Sequence, residues 1–299
     1  MDWLENMNNA VKYIEDNLDG EIDYVKAAQY ACCSAYNFQR IFSFITGISA
    51  AEYIRRRRLT LAAFEFQTTN VKVIDTALKY GYDSPESFTR AFQAMHGVTP
   101  SALRDRDVVV KAYPRMSFQF TIKGDSEMNY KITDKPAFQF YGIERIFDSK
   151  DGENLTAIPD FWTELDKAGK LMELCKSTGC STVCNAICGY RDVGMTMTTF
   201  PYLIGCIRTP ISETDGYTIV DVPAATWAVF ANEPHSREVM SAETQKLINR
   251  VYTDWLPTAS YKMIDGYDVE MYHILPDGRW YEETWIRVEP KDAKDAVAF

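Results

Sequence analysis

Two arginines each stand six residues beyond a serine able to cap a helix: Arg40 after Ser34, and Arg90 after Ser84. A guanidinium can donate two parallel hydrogen bonds to guanine O6 and N7. An arginine at a repeated place on two helices is therefore a candidate base reader. A second chemistry lies towards the C-terminus. In "WYEETWIRV", period-two alternation places Tyr281, Glu283 and Trp285 on one strand face, and in "VEMYHI" Glu270 and Tyr272 share a face. Trp162, Tyr190 and Tyr202 add aromatic rings near helix or strand ends. A carboxylate among aromatic rings suits a lipophilic cation, because the rings attract the charge and the carboxylate balances it. The pattern equally fits core aromatics with Glu283 turned to water.

Cys175, Cys180, Cys184 and Cys188 crowd one stretch. Zinc knuckles pair cysteines as C-x2–4-C; here the first gap fits loosely, and the other two fall between an expected helix end and a strand. Buried reduced thiols are the expectation, with no metal and no cofactor. No P-loop, dinucleotide-binding glycine pattern, HExxH or nucleophile elbow appears. The histidines, His96, His235 and His273, are scattered, and a helix-end role is sufficient for His96.

The arginines belong to a repeat. Shifted by 50, Ala27 falls on Ala77, Tyr30 on Tyr80, Phe38 on Phe88, Phe42 on Phe92 and Gly47 on Gly97. Each copy reads as a short helix, a tight turn, a capping serine and an amphipathic helix closed by glycine. That is the grammar of a helix-turn-helix. Between the copies, 49–69 has no glycine or proline and reads as one helix. At ~1.5 Å per residue it spans ~30 Å, close to the ~34 Å turn of duplex DNA. Two reading helices can then enter successive major-groove segments. Arg55, Arg56, Arg57 and Arg58 go round this spacer, so one or two are expected to face phosphates.

From about residue 128 the pattern becomes α+β. Strand, helix, strand, strand occurs twice, with helices expected over 157–175 and 241–259 and a strand pair around Pro223. Two such halves leave a cleft, where small ligands bind. "MSFQFTIKG" (116–124) alternates and is expected as an edge strand.

The first ~105 residues resemble the DNA-binding domain of AraC/XylS-type transcription regulators, through "GISAAEYIRRRRLTLA" (47–62) and "GYDSPESFTRAFQAMHGVTPSALR" (81–104). The resemblance implies that Tyr36, Gln39 and Arg40 contact DNA from the first unit, and Pro85, Glu86, Thr89 and Arg90 from the second. Ala31-Cys32-Cys33 and the acidic Glu86 depart from the family's usual pattern and bear on operator sequence. Residues ~128–289 resemble the GyrI-like effector-binding domain, through "YLIGC", "VPAATWAVF", "YTDWLPTASY", "DVEMY" and "EETWIRV". There Glu283 takes the place of a cation-facing glutamate, and Arg287 stands where proline is usual.

The expected architecture is an all-α double helix-turn-helix domain (1–107), a linker (108–127), an α+β GyrI-like domain (128–290) and a tail (291–299). The net charge of −10 argues against broad nucleic-acid affinity. The acidity lies mostly in the second part: 12 Lys+Arg stand against 14 Asp+Glu in 1–107, and 20 against 28 in 108–299. The acidic N-terminus lacks the apolar stretch of a signal peptide, so a cytoplasmic location is the expectation. The expected function is transcription regulation, not catalysis, with double-stranded DNA, a lipophilic cationic effector and RNA polymerase as partners. The alternatives are a second domain that hydrolyses or sequesters a small molecule, or one that only dimerises or contacts polymerase.

Overall fold

The computed structural model describes residues 3–104, 108–119, 127–149, 152–180, 183–191 and 199–291. The first part is helical: α1 (Trp3–Asp16), α2 (Tyr24–Tyr30), α3 (Ala35–Thr46), α4 (Ala50–Thr68), α5 (Val73–Lys79) and α6 (Pro85–His96). The local signals act as expected. Ser34 Oγ accepts from the Asn37 amide at 3.2 Å, and Ser84 Oγ from the Ser87 amide at 3.1 Å. Gly47 and Gly97 end their helices at φ 71° and 79°, a conformation that glycine adopts without a Cβ penalty. Phe38, Ile41 and Phe42 of α3, and Phe88 and Phe92 of α6, fill the cores of their units.

The segment expected as an edge strand behaves differently. Within the described part, residues 108–119 pair with no sheet and run along the helices. Asn8 exchanges two 2.8 Å hydrogen bonds with the backbone of Phe118, and the Met116 amide donates to the Tyr53 hydroxyl at 3.1 Å. The alternation thus sets Phe118 edge-on to Phe42 of α3 at 6.2 Å rather than into the sheet, and Met116 packs in the same cluster. Residues 120–126 lie outside the described residues.

The second part contains β1 (Asn129–Lys135), β2 (Phe138–Asp148), α7 (Asn154–Lys167), α8 (Lys170–Ser177), β3 (Asn185–Cys188), β4 (Thr199–Ile207), β5 (Thr218–Val222), β6 (Ala225–Ala231), α9 (Met240–Arg250), β7 (Tyr261–Met263), β8 (Asp268–Ile274) and β9 (Trp280–Pro290). The expected helix at 157–175 is two helices, broken where Gly169 turns to φ 72°. The sheet order is β1-β6-β9-β8-β3-β4-β2-β5, with β7 beside β9. The pair expected around Pro223 separates: β5 joins β2, while β6 joins β1 and β9. The sheet curves until Phe138 of β2 lies 6.4 Å, ring to ring, from Trp227 of β6. Gly142 and Gly205 face each other in the β2–β4 register, and a Cβ on either would come within 2.2 Å of backbone oxygen. Only glycine permits that approach.

One sheet face carries Phe138, Phe140, Leu203, Trp227, Val229 and Trp285 and closes on itself. The other carries the helices: α7 and α8 on the half built from β2–β4, α9 on the half containing β6 and β9. Between the halves, where a cleft is expected, β8 and β3 join the two parts of the sheet.

Candidate functional site

The cleft floor is acidic. Asp268, Glu270 and Tyr272 alternate along β8 towards the helix side. The Tyr202 and Tyr272 hydroxyls each donate to Glu270 Oε2 at 3.0 Å, and Trp162 Nε1 donates to the Tyr202 oxygen at 3.0 Å. The Trp162 ring meets the Tyr272 ring edge-on at 5.3 Å. Glu282, opposite Tyr272, is fully buried; its Oε2 is 2.7 Å from His235 Nε2. Glu282 Oε1 and the neighbouring Thr284 Oγ1 are buried without a hydrogen-bond partner among the described residues.

Burial pushes the Glu270 carboxyl above the usual range, while the charge of Arg40 and the two tyrosine hydroxyls oppose the shift. Burial likewise raises Asp268, against the attraction of Arg40. A cation therefore stabilises both acids in their ionised form.

That cation comes from the first helix-turn-helix unit. Helix α3 is seated on the cleft floor, with Arg40 Nη1 hydrogen-bonded to Asp268 Oδ2 in an ion pair buried at both ends. Asp265 anchors the start of the helix, accepting from the Ser34 amide and from Asn37 Nδ2, both at 2.6 Å. The Tyr36 hydroxyl approaches Cys188 Sγ at 3.5 Å, and its ring lies 4.7 Å from that of Phe200. Gln39 and Arg40 retain 2% and 6% of their exposure. On α6, by contrast, Glu86 and Arg90 are exposed and Pro85 and Thr89 half-buried. The two units are equivalent in sequence and unequal in access.

Two comparisons bear on identity. Residues 27–106 match a family described as a helix-turn-helix domain, and residues 128–289 match the GyrI-like small molecule binding domain. The transcriptional activator AarP of Providencia stuartii is 45% identical over 95 residues, covering 32% of this chain and 70% of that protein. SoxS of Salmonella typhimurium is 35% identical over 96 residues, covering 32% of this chain and 90% of its own. The Tn10 TetD protein of Escherichia coli is 42% identical over 98 residues, covering 33% and 71%. The chain is an AraC-type regulator with a GyrI-like domain. It binds DNA through the helical part and carries a small-molecule binding domain behind it. Among the described residues no helix is long and apolar enough to cross a membrane.

Within the GyrI-like domain the fold divides the candidate ligand residues. Trp162, Tyr202 and Tyr272 meet in the cleft around Glu270. Tyr281, Glu283 and Trp285 lie on the opposite face of the sheet, because alternation along β9 turns Glu282 and Thr284 towards the helices. There Glu283 Oε2 accepts from Trp285 Nε1 at 2.8 Å and lies 3.7 Å from His273 Nε2, with Lys131 at 3.5 Å from Oε1. Burial raises its pKa, but these partners outweigh it and bring it to about 2. Glu283 is thus held as a carboxylate by partners within the protein. Tyr190 is also outside the cleft, donating to Glu144. The alternation in "DVEMYHI" carried the signal for Asp268 and Glu270; nothing local indicated that β3, β4 and α7 would converge there.

The four spacer arginines are engaged within the protein. Arg55 and Arg56 pair with Glu52. Arg57 grips Glu15 through two 2.8 Å bonds, and Arg58 donates to the backbone oxygens of Leu18 and Gly20. His96 is no helix-end cap: it is buried, with Nε2 3.2 Å from the Leu59 carbonyl of α4. The cysteine stretch disperses. Cys180 is exposed and Cys188 lies beneath Tyr36, whereas Cys175 and Cys184 meet a distant residue, Cys206.

Proposed function

We propose that the regulator senses a small cation bearing aromatic or other apolar groups, and that this cation competes with Arg40 for the acidic cleft. The observation behind the reading is the guanidinium of a DNA-reading helix held on Asp268. The site thus already accommodates a planar cation beside Glu270 and within reach of rings. While α3 is docked, Tyr36, Gln39 and Arg40 are withheld from DNA and only α6 presents its residues. An effector that replaces Arg40 frees α3, and both units then read one DNA face. RNA polymerase contact follows from the released, DNA-bound form.

The docked state is suited to release. Gln39 Nε2 and Ser43 Oγ of α3 are buried without partners among the described residues, and each such group costs about 1–3 kcal/mol. Two-state competition of this kind shifts only by the ligand's differential affinity.

The test uses the full chain and a panel of aromatic quaternary ammonium ions, with neutral isosteres as controls. Binding is read by tryptophan fluorescence and DNA affinity by anisotropy. Glu270→Gln should weaken cations by about 1–3 kcal/mol and leave neutral analogues nearly unaffected. Cations should tighten specific DNA binding. Cation binding without change in DNA affinity would end the competition model, equal losses for cations and neutral compounds would end the charge model, and consumption of a reactive ligand would favour a hydrolase.

A further inference from the structure

Cys175 lies in α8, Cys184 just ahead of β3, and Cys206 near the end of β4. Three separate elements bring their sulfurs together: all lie within 4.8 Å of one another, and Cys175 Sγ is 3.3 Å from Cys184 Sγ. Cys184 and Cys206 are buried and Cys175 is half-buried, so the cluster sits at the edge of the core with one side towards solvent. Cys184 Sγ lies 3.5 Å from the Leu171 carbonyl oxygen, and the three cysteines share one apolar cluster with Leu174, Tyr141 and Tyr217.

We infer that Cys175, Cys184 and Cys206 form a binding site for one soft, closed-shell metal ion, such as Cu(I), Zn(II) or Cd(II). Soft thiolates select such ions over hard ones. Metal–sulfur bonds of ~2.3 Å at tetrahedral or trigonal angles hold sulfurs ~3.8–4.0 Å apart, which is within the spread of this cluster. A disulfide needs only two sulfurs at ~2.05 Å and gives the third no reason to converge. Buried thiols serving only as small apolar groups need no common centre either. Binding forms three S–M bonds, and the three S–H protons pass to solvent. The sequence spacing concealed the site, because Cys206 is 22 residues beyond Cys184 and joins only through the β3–β4 register. A bound ion would tie α8 to the sheet behind the cleft.

The experiment uses the full, freshly reduced chain and Cd(II), Zn(II) and Cu(I) as probes under inert gas. Native mass spectrometry should show one ion per chain, with a thiolate-to-metal charge-transfer band in the ultraviolet for Cd(II). Thermal stability should rise with free metal, since only the folded chain assembles the site. Cys175→Ser, at the half-buried position, should lower affinity by more than the roughly 10–100-fold that loss of an outer partner costs, with the apo stability retained. Cys206→Ser should do the same. Cys180→Ser and Cys188→Ser should leave binding unchanged. The inference is overturned if Cys175→Ser binds like the parent or if no ion is retained at one equivalent.

Discussion

Arg40 and Asp268 form an ion pair across the two domains, with only 6% and 7% of their side chains exposed. A charge pair this deep is weak evidence of stability, but removing one member strands the other in a poorly solvated place. The pair therefore makes domain docking sensitive to whatever else can satisfy either charge.

Asp268→Ala leaves the Arg40 guanidinium without its counter-charge and should disfavour the docked arrangement by about 3–5 kcal/mol. Helix α3 should then exchange its amide hydrogens faster, while α6 should not change. Unaltered protection of α3 would mean that apolar packing, not the ion pair, holds the domains together.

The two repeat-related arginines, Arg40 and Arg90, should behave unequally. Arg90→Ala should cost DNA binding about 1–3 kcal/mol with or without effector and relax base preference at one half-site. In an Asp268→Ala background, Arg40→Ala should cost a similar amount at the other half-site. In the parent without effector, it should not weaken DNA binding by that amount. Sequence selection on the parent and these variants checks this; a uniform loss on every DNA sequence would make either residue a phosphate contact.

Glu283 gives a pH-dependent test. Its carboxyl is held at about 2 in the folded chain, against ~4.3 when unfolded. Between those values the unfolded chain binds more protons, so this contribution is complete above pH ~5 and is lost as pH falls towards 2. Glu283→Gln should remove on the order of 1–3 kcal/mol at pH 7, allowing for solvent screening, and flatten that part of the acid-unfolding curve. Cation binding in the cleft should be unaffected, because Glu283 lies on the other sheet face.

Gly205→Ala should destabilise the fold by about 3 kcal/mol or more, since its Cβ would meet the Tyr141 carbonyl oxygen at 2.2 Å. Gly20→Ala meets nothing closer than the Asn17 oxygen at 3.9 Å and should change stability by no more than ~0.5 kcal/mol. Urea unfolding of the two variants separates close approach from a general intolerance of substitution.

The helical part was legible because its signals are local. A serine cap, a closing glycine and an apolar stripe act within a few residues, so Ser34, Gly47, Ser84 and Gly97 stand where the repeat puts them. Strand alternation was legible for the same reason, and it placed Glu270 and Tyr272 on one face. The matching alternation at Glu283 identified its strand neighbours but not which face of the sheet they joined. Helices α7 and α9, far away in sequence, decide that by covering one face. Likewise Cys206 completes a thiol cluster, Arg57 turns inward to Glu15, and Arg40 leaves its expected surface for Asp268 only when elements distant along the chain close together. Periodicity determines which residues of an element point the same way. Burial against the rest of the molecule determines what they meet there, and here it sets Arg40 of α3 on Asp268 of β8.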